Sequence, residues 1–135
     1  MEKINLLLLL TPKAELSCIT EDMNVRQAIE KMQARSYMCI PVISKTGEYV
    51  GSITEGDLLW TLVDEDSDLE ALEEINIKDI IRKDYMPAEK VDADSDRIIS
   101  MITEQNYVPI VDDRNILMGI VTRRKVIKSL TGNEE

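Results

Sequence analysis

The sequence has no histidine, no phenylalanine, one tryptophan and only two cysteines. Without histidine, zinc sites of the usual His/Cys type and catalytic triads that need an imidazole base are excluded. Cys18 and Cys39 have no CxxC spacing, so we expect them to be small buried apolar residues of a cytoplasmic protein rather than a disulfide. With so few aromatics, the core has to be built from Ile, Leu, Val and seven Met.

The chain also has no apolar run long enough to cross a bilayer. Leu6–Leu10 is too short for a signal-peptide core and is closed by Thr11-Pro12-Lys13, so we expect a buried strand or a short helix there. The formal net charge of −10 argues against general binding to nucleic-acid phosphates or to anionic membranes. Any anion that the protein binds must therefore be held by a local basic cluster.

One sequence element occurs twice, 68 residues apart in a chain of 135. Ile40-Pro41-Val42 and Val108-Pro109-Ile110 each precede, by ten residues from the proline, a glycine that opens a second shared pattern. The two copies of that pattern are Gly51-Ser52-Ile53-Thr54-Glu55-Gly56-Asp57 and Gly119-Ile120-Val121-Thr122-Arg123-Arg124-Lys125. Repetition at half the length predicts one structural unit written twice.

Each copy shows the same succession of secondary-structure signals. The first predicts a helix capped by Asn24 and Gln27, strands over Cys39–Ile43 and Tyr49–Ile53, and a helix after Thr54. The second predicts a helix from near Ser95, strands over Val108–Val111 and Ile116–Val121, and a last helix with Val126, Ile127 and Leu130. Gly47 and Asn115, at equivalent places, both tolerate the positive φ that a tight hairpin turn needs.

These signals predict an α+β fold of two pseudo-symmetric βαββα-like repeats, with small sheets packed together and helices outside. We expect residues 1–63 to form the first repeat with its N-terminal segment and residues 77–135 to form the second. Between them, residues 64–76 are expected to be a solvated acidic linker that can be partly helical, because Asp64–Glu74 has seven acidic residues and no basic one. Neither repeat alone has enough apolar surface for a stable core.

Two copies of helix, hydrophobic–Pro strand, turn, strand and Gly-h-h-Thr-x-x-Asp resemble a tandem pair of CBS (cystathionine β-synthase) domains. The leading segments Leu10-Thr11-Pro12-Lys13 and Ile80-Ile81-Arg82-Lys83 also match in kind. The resemblance spans about residues 10–130 and implies a regulatory module that catalyses nothing. It further implies that an adenine nucleotide, which can be AMP, ATP or cyclic di-AMP, binds in clefts between the paired sheets as a regulatory ligand, with no other cofactor.

Thr54 and Asp57 admit two interpretations. By local physics they form a capping box, in which both side chains satisfy free backbone amides at the start of a helix. By the resemblance, the Asp57 carboxylate accepts both ribose hydroxyls and the Thr54 hydroxyl reaches ribose or phosphate. A carboxylate suits a vicinal diol because it presents two acceptors in one plane.

The second copy departs from this pattern because Lys125 stands where the first has Asp57. Thr122, Arg123, Arg124 and Lys125 can be a solvated basic face, or they can hold phosphate at the helix N-terminus. Similar Thr-Arg-Arg sequences in CBS proteins that bind cyclic di-AMP favour phosphate. We expect both arginines to be exposed, since cations there oppose the helix dipole.

The predicted nucleotide-contacting residues come from both copies and their leading segments. They are Lys13, Tyr37, Ile40, Pro41, Thr54, Asp57, Lys83, Tyr107, Val108, Pro109, Thr122, Arg123, Arg124 and Lys125. We also expect a homodimer built on Leu58, Leu59, Trp60, Leu62, Val126, Ile127 and Leu130, and a regulated partner protein. The alternatives are a ligand-free dimerisation module and a small nucleotide-processing enzyme.

Overall fold

The computed structural model describes residues 4–35, 38–64, 68–82 and 85–132. These residues form two compact units, and each contains one copy of the repeated element. The first unit is Ser17–Tyr85, and the second unit combines residues 4–16 with residues 86–132. The predicted boundaries divide the chain into two consecutive repeats. In the structure, each compact unit instead includes the leading segment of the other repeat: residues 77–82 pack in the first unit and residues 4–16 in the second.

The first unit is built on a three-stranded sheet. Its strands are β2 (Ile19–Thr20), β3 (Cys39–Ile43) and β4 (Tyr49–Thr54), and its helices are α2 (Val25–Arg35), α3 (Glu55–Asp64) and α4 (Ile77–Ile80). The sheet order is β2-β3-β4, in which β2 and β3 are parallel and β3 and β4 form an antiparallel hairpin. Helix α2 starts where predicted, because Asn24 and Gln27 each donate a backbone N–H to the other's side chain, at 3.0 and 2.8 Å.

The second unit is built on a four-stranded sheet. Its strands are β1 (Thr11–Pro12), β5 (Glu89–Lys90), β6 (Tyr107–Val111) and β7 (Leu117–Thr122), and its helices are α1 (Leu6–Leu9), α5 (Ser95–Ile102) and α6 (Arg123–Thr131). The sheet order is β1-β7-β6-β5. The β6–β7 hairpin repeats β3–β4 with the same offset of 68 residues, including the bulge before the last residue of its first strand. Gly47 and Asn115 both have positive φ, at 90° and 66°, as predicted.

Each unit has its own apolar core. In the first unit the buried side chains come from β2, β3, β4, α2, α3 and α4, with Ile19, Val42 and Ile53 fully buried. In the second unit Leu6 of α1 packs with buried residues of α5, β6, β7 and α6, while Leu7 and Leu8 are exposed. Leu6–Leu9 is therefore the short helix of the two structures expected for this run.

Part of the segment expected to be a solvated linker is anchored to the first unit. Leu72 is 0% exposed within the first core, in a single helical turn over Ala71–Glu74. Glu73 on the same turn accepts a 2.8 Å hydrogen bond from Arg26 of α2. The expectation was wrong at Leu72, because a helical turn places this leucine in the core although its neighbours in the sequence are acidic.

Candidate functional site

The Thr54–Asp57 motif sits where β4 ends and α3 begins. The backbone N–H of Thr54 donates to Asp57 Oδ2 at 2.9 Å, and the backbone N–H of Asp57 donates to Thr54 Oγ1 at 3.1 Å. The capping interpretation is thus realised, and it fixes the carboxylate at the positive end of the α3 dipole. The capping bond uses one of the four acceptor positions of the carboxylate, so it does not by itself exclude the ribose interpretation.

Arg82, from the leading segment of the second repeat, also engages Asp57. Its Nε lies 2.9 Å from Asp57 Oδ1, and its Nη2 donates to Oδ2 at 3.3 Å. The Arg82 Cζ lies 3.7 Å from the centroid of the Tyr85 ring, a cation–π arrangement. Desolvation acts to lower the pKa of Arg82, but the hydrogen bond and the charge of Asp57 outweigh it and raise the pKa above its ordinary value.

This pair leaves few acceptor positions on the carboxylate, whose side chain is 13% exposed. Each oxygen offers two lone pairs. Both positions on Oδ2 are used, by Thr54 and Arg82, and one on Oδ1 is used by Arg82. A ribose diol that needs one position on each oxygen must therefore displace Arg82 from Oδ2.

The basic motif of the second unit has the same frame with different contacts. Thr122 caps α6 by accepting from the Lys125 backbone N–H at 3.2 Å. The Lys125 ammonium donates to Thr11 Oγ1 in β1 at 2.9 Å. Lys125 thus contacts the leading segment packed against its own sheet, as Asp57 does through Arg82. In both copies, the last residue of the motif contacts a leading segment. That residue is an anion, Asp57, in the first copy and a cation, Lys125, in the second.

The two arginines of the basic motif have different surroundings. Arg123 Nε donates at 2.7 Å to the carbonyl of Ile102, the last residue of α5, and the Arg123 backbone N–H donates to the carbonyl of Asn106 at 2.8 Å. Arg124 is exposed and lines a surface groove together with Ile127 and Lys128. The expectation that both arginines are exposed was wrong for Arg123, because a helix C-terminus lies within its reach.

The remaining predicted contact residues divide by burial. Ile40 and Val108 are core residues, and Pro41, Tyr107 and Pro109 are buried beside them in β3 and β6. The side chains of Ile40 and Val108 are therefore committed to packing, so a ligand contact there would use the backbone. Lys13 is half-buried in the short turn after β1. Tyr37 and Lys83 lie outside the described residues.

Sequence reasoning did not assign a role to Arg82 or Tyr85. The available signal was the leading segment Ile80-Ile81-Arg82-Lys83, which was matched to Leu10-Thr11-Pro12-Lys13 only in kind. Packing makes the match specific: Gly51 in β4 faces Ile81, and Gly119 in β7 faces Thr11. Each leading segment therefore lies beside the N-terminus of the helix that follows the motif threonine, which is Thr54 for α3 and Thr122 for α6.

The described part of the chain contains neither a candidate metal site nor a candidate membrane-spanning helix. Within residues 4–35, 38–64, 68–82 and 85–132, no group of three or more Cys, Asp and Glu side chains is placed to hold a metal ion. No helix in those same ranges has the length and apolar character needed to span a bilayer. Cys18 and Cys39 are not disulfide-bonded and are half-buried rather than fully buried.

Comparison with known proteins gives the family. The CBS domain family profile matches residues 11–64 and 77–132, one match for each repeat. Inosine-5'-monophosphate dehydrogenase from Methanocaldococcus jannaschii is 30% identical over 114 residues, which cover 82% of this chain. This chain spans only 21% of the length of that relative.

Two solved structures have the same fold. CbpB from Listeria monocytogenes, in complex with c-di-AMP, superposes with a TM-score of 0.85 at 21% identity, covering 96% of each chain. CBSX2, in complex with AMP, superposes with a TM-score of 0.71 at 22% identity, covering 94% of this chain and 96% of that one. The predicted pair of CBS repeats in an α+β fold is confirmed, and this chain belongs to the CBS-domain family.

Proposed function

We propose that this chain is a regulatory module that binds an adenine nucleotide and alters a partner protein when the nucleotide binds. The observation that carries the proposal is the fixed carboxylate of Asp57 at the N-terminus of α3, next to the cation of Arg82. The c-di-AMP and AMP complexes of CbpB and CBSX2, which have the same fold, support an adenine nucleotide as the ligand. The cytoplasmic location expected from the sequence stays a prediction.

Within this proposal, Asp57 accepts the ribose hydroxyls in the first unit. We also propose that the basic motif of the second unit is by itself a phosphate-binding site, formed by Arg124, Lys125 and the Thr122 hydroxyl. Arg124 is exposed to solvent, and the Lys125 ammonium is paired with the neutral hydroxyl of Thr11. Either cation can exchange its surroundings for a phosphate oxygen at low cost. The rest of the predicted contact set stays a proposal on the same terms.

The proposed role is regulatory rather than catalytic. The chain has no histidine, which is the commonest general base in enzymes. The carboxylate of the motif, Asp57, is paired with Arg82. The dehydrogenase relative is an enzyme by name, but this chain spans about a fifth of it, so its activity is not carried over. We also propose a homodimer, supported by the exposed Leu59 and Trp60 on α3 and the exposed Ile127 and Leu130 on α6.

Two residues of the predicted interface have another role. Leu58 and Val126 are 5% and 0% exposed and belong to the two cores. The prediction that they build the dimer was wrong, since they pack into the two cores, and Leu62 is half-buried against the first core as well. The proposed interface therefore keeps only the outward side chains of α3 and α6.

The function is tested by calorimetry with adenosine, AMP, ATP and cyclic di-AMP, with GMP as the control for base recognition. A ligand at a hundred times its Kd raises the free energy of unfolding by about 2.7 kcal/mol, which is readily seen as a higher melting temperature. Asp57→Ala is expected to weaken binding about tenfold to a hundredfold, because a charge-assisted pair is worth roughly 1.5–3 kcal/mol. Asp57→Asn keeps much of the shape and some of the capping.

The matched control is Asp79→Ala. Asp79 completes a capping box with Asn76 at the start of α4, in the same unit but outside the motif. Loss of that cap should lower the melting temperature without changing nucleotide affinity. If no adenine nucleotide binds, or if Asp57→Ala and Asp57→Asn both keep the affinity of the parent, the proposal is wrong and Asp57 is only a cap.

A further inference from the structure

We infer that the first unit selects a nucleotide whose ribose carries one free hydroxyl and one phosphate ester, at its 2′ and 3′ oxygens in either order. The inference rests on the proposed function and narrows the ligand to a ribose of this kind. Asp57 accepts the free hydroxyl, and Arg82 contacts the ester phosphate while it stays paired with Asp57. The alternative is a ribose with two free hydroxyls, as in adenosine or 5′-AMP, and the contacts of Asp57 disfavour it.

The carboxylate of Asp57 has one acceptor position left by the contacts described above. A carboxylate has two acceptor positions on each oxygen. The Thr54 backbone N–H and Arg82 Nη2 use both positions on Oδ2, at 2.9 and 3.3 Å, and Arg82 Nε uses one on Oδ1, at 2.9 Å. A vicinal diol needs two acceptors, so it fits only after Arg82 has moved. A ribose with a single free hydroxyl fits the arrangement as it stands.

Arg82 is placed to meet an anion beside that acceptor position. A guanidinium has five N–H donors, and the contacts with Asp57 use two of them. The Arg82 side chain is 50% exposed. The Tyr85 ring lies over the guanidinium face, and the N–H groups point outward in the guanidinium plane, so the ring does not cover them. Because the 2′ and 3′ oxygens of ribose are neighbours, a phosphate on one lies beside the partner of the other.

The Asp57–Arg82 pair also decides whether a phosphate is repelled from this place. A carboxylate alone repels a phosphate, whereas Asp57 and Arg82 together carry no net charge. The other acidic residue in the first turn of α3, Glu55, lines the groove between α2 and α3. Arg82 thus has two effects on the ligand, since it blocks a free diol and offers hydrogen-bond donors to an ester of that diol.

The second unit has no carboxylate at the equivalent position. Lys125 stands where the first unit has Asp57, and an ammonium donates hydrogen bonds but accepts none. The Lys125 Nζ donates to Thr11 Oγ1 at 2.9 Å. At the last position of the motif, therefore, neither copy accepts two ribose hydroxyls.

The test is calorimetry on the full chain with adenosine, 2′-AMP, 3′-AMP and 5′-AMP. In the parent, 2′-AMP or 3′-AMP is expected to bind about fivefold tighter than adenosine, which is the effect of one ion pair at a half-exposed side chain. In Arg82→Gln this gain should become a loss, because the carboxylate then repels the ester phosphate. Adenosine 3′-methylphosphate, a diester, distinguishes a phosphodiester from a terminal phosphate, and a gain with either ester supports the inference.

The deoxynucleosides test the hydroxyl count without any phosphate. Either 2′-deoxyadenosine or 3′-deoxyadenosine should bind the parent as tightly as adenosine, since one hydroxyl is accepted. In Arg82→Gln, adenosine should bind more tightly than both, because the position on Oδ2 is then open to the second hydroxyl.

Two further variants control for charge and for fold. Arg26→Gln should keep the gain from the ester phosphate, because Arg26 pairs with Glu73 at 2.8 Å, away from the motif. Arg82→Lys keeps the charge but not the fork, so it should keep part of the gain, and thermal melting checks that each variant is folded. An ester gain that is absent from the parent, or undiminished in Arg82→Gln, would overturn the inference, while 5′-AMP binding would still support the proposed function. If none of the adenine compounds binds, both are wrong.

Discussion

Arg82 donates to both carboxylate oxygens of Asp57, at 2.9 and 3.3 Å, while its guanidinium carbon lies 3.7 Å from the centre of the Tyr85 ring. The side chain that the resemblance assigns to ribose therefore already has a cationic partner. That partner comes from 25 residues further along the chain. In the proposed complex, ribose and Arg82 compete for Oδ2, and we expect this competition to set the affinity.

Arg82→Gln is expected to strengthen adenosine binding by up to about fivefold. The reason is that a half-exposed ion pair is worth about 0.2–1 kcal/mol, and ribose no longer has to displace it. The measurement is calorimetric titration with adenosine, which has no phosphate to interact with Arg82. Arg26→Gln is the matched control, because Arg26 forms a comparable 2.8 Å pair with Glu73 in the same unit, away from Asp57. Unchanged or weaker adenosine binding by Arg82→Gln would contradict the competition.

Arg123→Ala is expected to reduce stability, whereas Arg124→Ala is expected to reduce the preference for a ligand with phosphate. Arg123 donates to the last carbonyl of α5, so its loss should lower the free energy of unfolding by about 1–2 kcal/mol. Arg124 is exposed, so its loss should change stability by no more than about 0.5 kcal/mol. Arg124→Ala should instead reduce the preference for AMP over adenosine.

Thermal melting and calorimetry on both arginine variants check these outcomes, and binding at two salt concentrations adds a second test. A phosphate contact at an exposed cation weakens as salt rises, because mobile ions screen it. Equal affinities for adenosine and AMP in the parent would mean that the basic motif is an ordinary solvated face. Equal losses of stability in the two variants would contradict the assignment of Arg123 to α5.

Gly119→Ala is expected to be more destabilising than Gly51→Ala. A Cβ on Gly119 would overlap the backbone carbonyl of Thr11, and backbone cannot move without shifting β1 away from β7. A Cβ on Gly51 would come within 2.8 Å of Ile81 Cδ1, the far end of a side chain that can turn aside. Overpacking costs about 1–3 kcal/mol, and we expect Gly119→Ala at the upper end. Equal denaturation midpoints for the two variants would contradict this difference.

The β6–β7 turn should lose stability in acid through Asp112. Its Oδ1 accepts from the backbone N–H groups of Ile116 and Arg114, at 3.0 and 2.8 Å, and these bonds lower the pKa of Asp112. A lowered folded-state pKa means stabilisation that is present above the unfolded value of 3.8 and is lost as the pH falls through the folded value. Asp112→Ala should therefore be more destabilising at about pH 6 than at about pH 3, as measured by thermal melting.

The matched control for Asp112 is Ser44→Ala in the equivalent turn of the first unit. Ser44 Oγ accepts from the Glu48 backbone N–H at 3.1 Å, and a hydroxyl does not titrate in this range. The effect of Ser44→Ala should be the same at both pH values after subtraction of the parent. An NMR titration in which the Asp112 carboxyl has a midpoint at or above 3.8 would contradict the prediction.

The strands, turns and helix starts were predictable because their signals are local and occur twice. Cys39–Ile43 was predicted to the residue, and the other three hairpin strands of the two repeats differ from prediction by one residue at one end or by a shift of one. Gly47 and Asn115 have the expected positive φ because a tight turn restricts the residue types it accepts. Asn24 and Thr54 begin helices because their side chains complete capping boxes with residues three positions later.

The contacts that decide the site could not be predicted from local signals. Arg82 reaches Asp57 and Lys125 reaches Thr11 across long stretches of sequence, and no periodicity records such pairs. The burial of Leu72 was not predicted, because its neighbours in the sequence are acidic. Leu58 was wrongly assigned to the dimer interface, because the sequence of an apolar helix does not show which of its sides faces the core. Burial depends on where other segments pack, and that information is spread over the chain.

The placement of β1 has a consequence for how the chain folds as it is synthesised. Thr11 and Pro12 pair with Ile120 and Gly119, so the second sheet is completed by residues made before the first unit and residues made after it. Ser17–Tyr85 is continuous, so all of its residues are available before the second unit is complete, whereas residues 4–16 must wait for β7. Contacts between distant residues slow folding, because a long loop must close before they form. The second unit is therefore expected to be the late-folding half of the chain and its early residues the segment most exposed to chaperones.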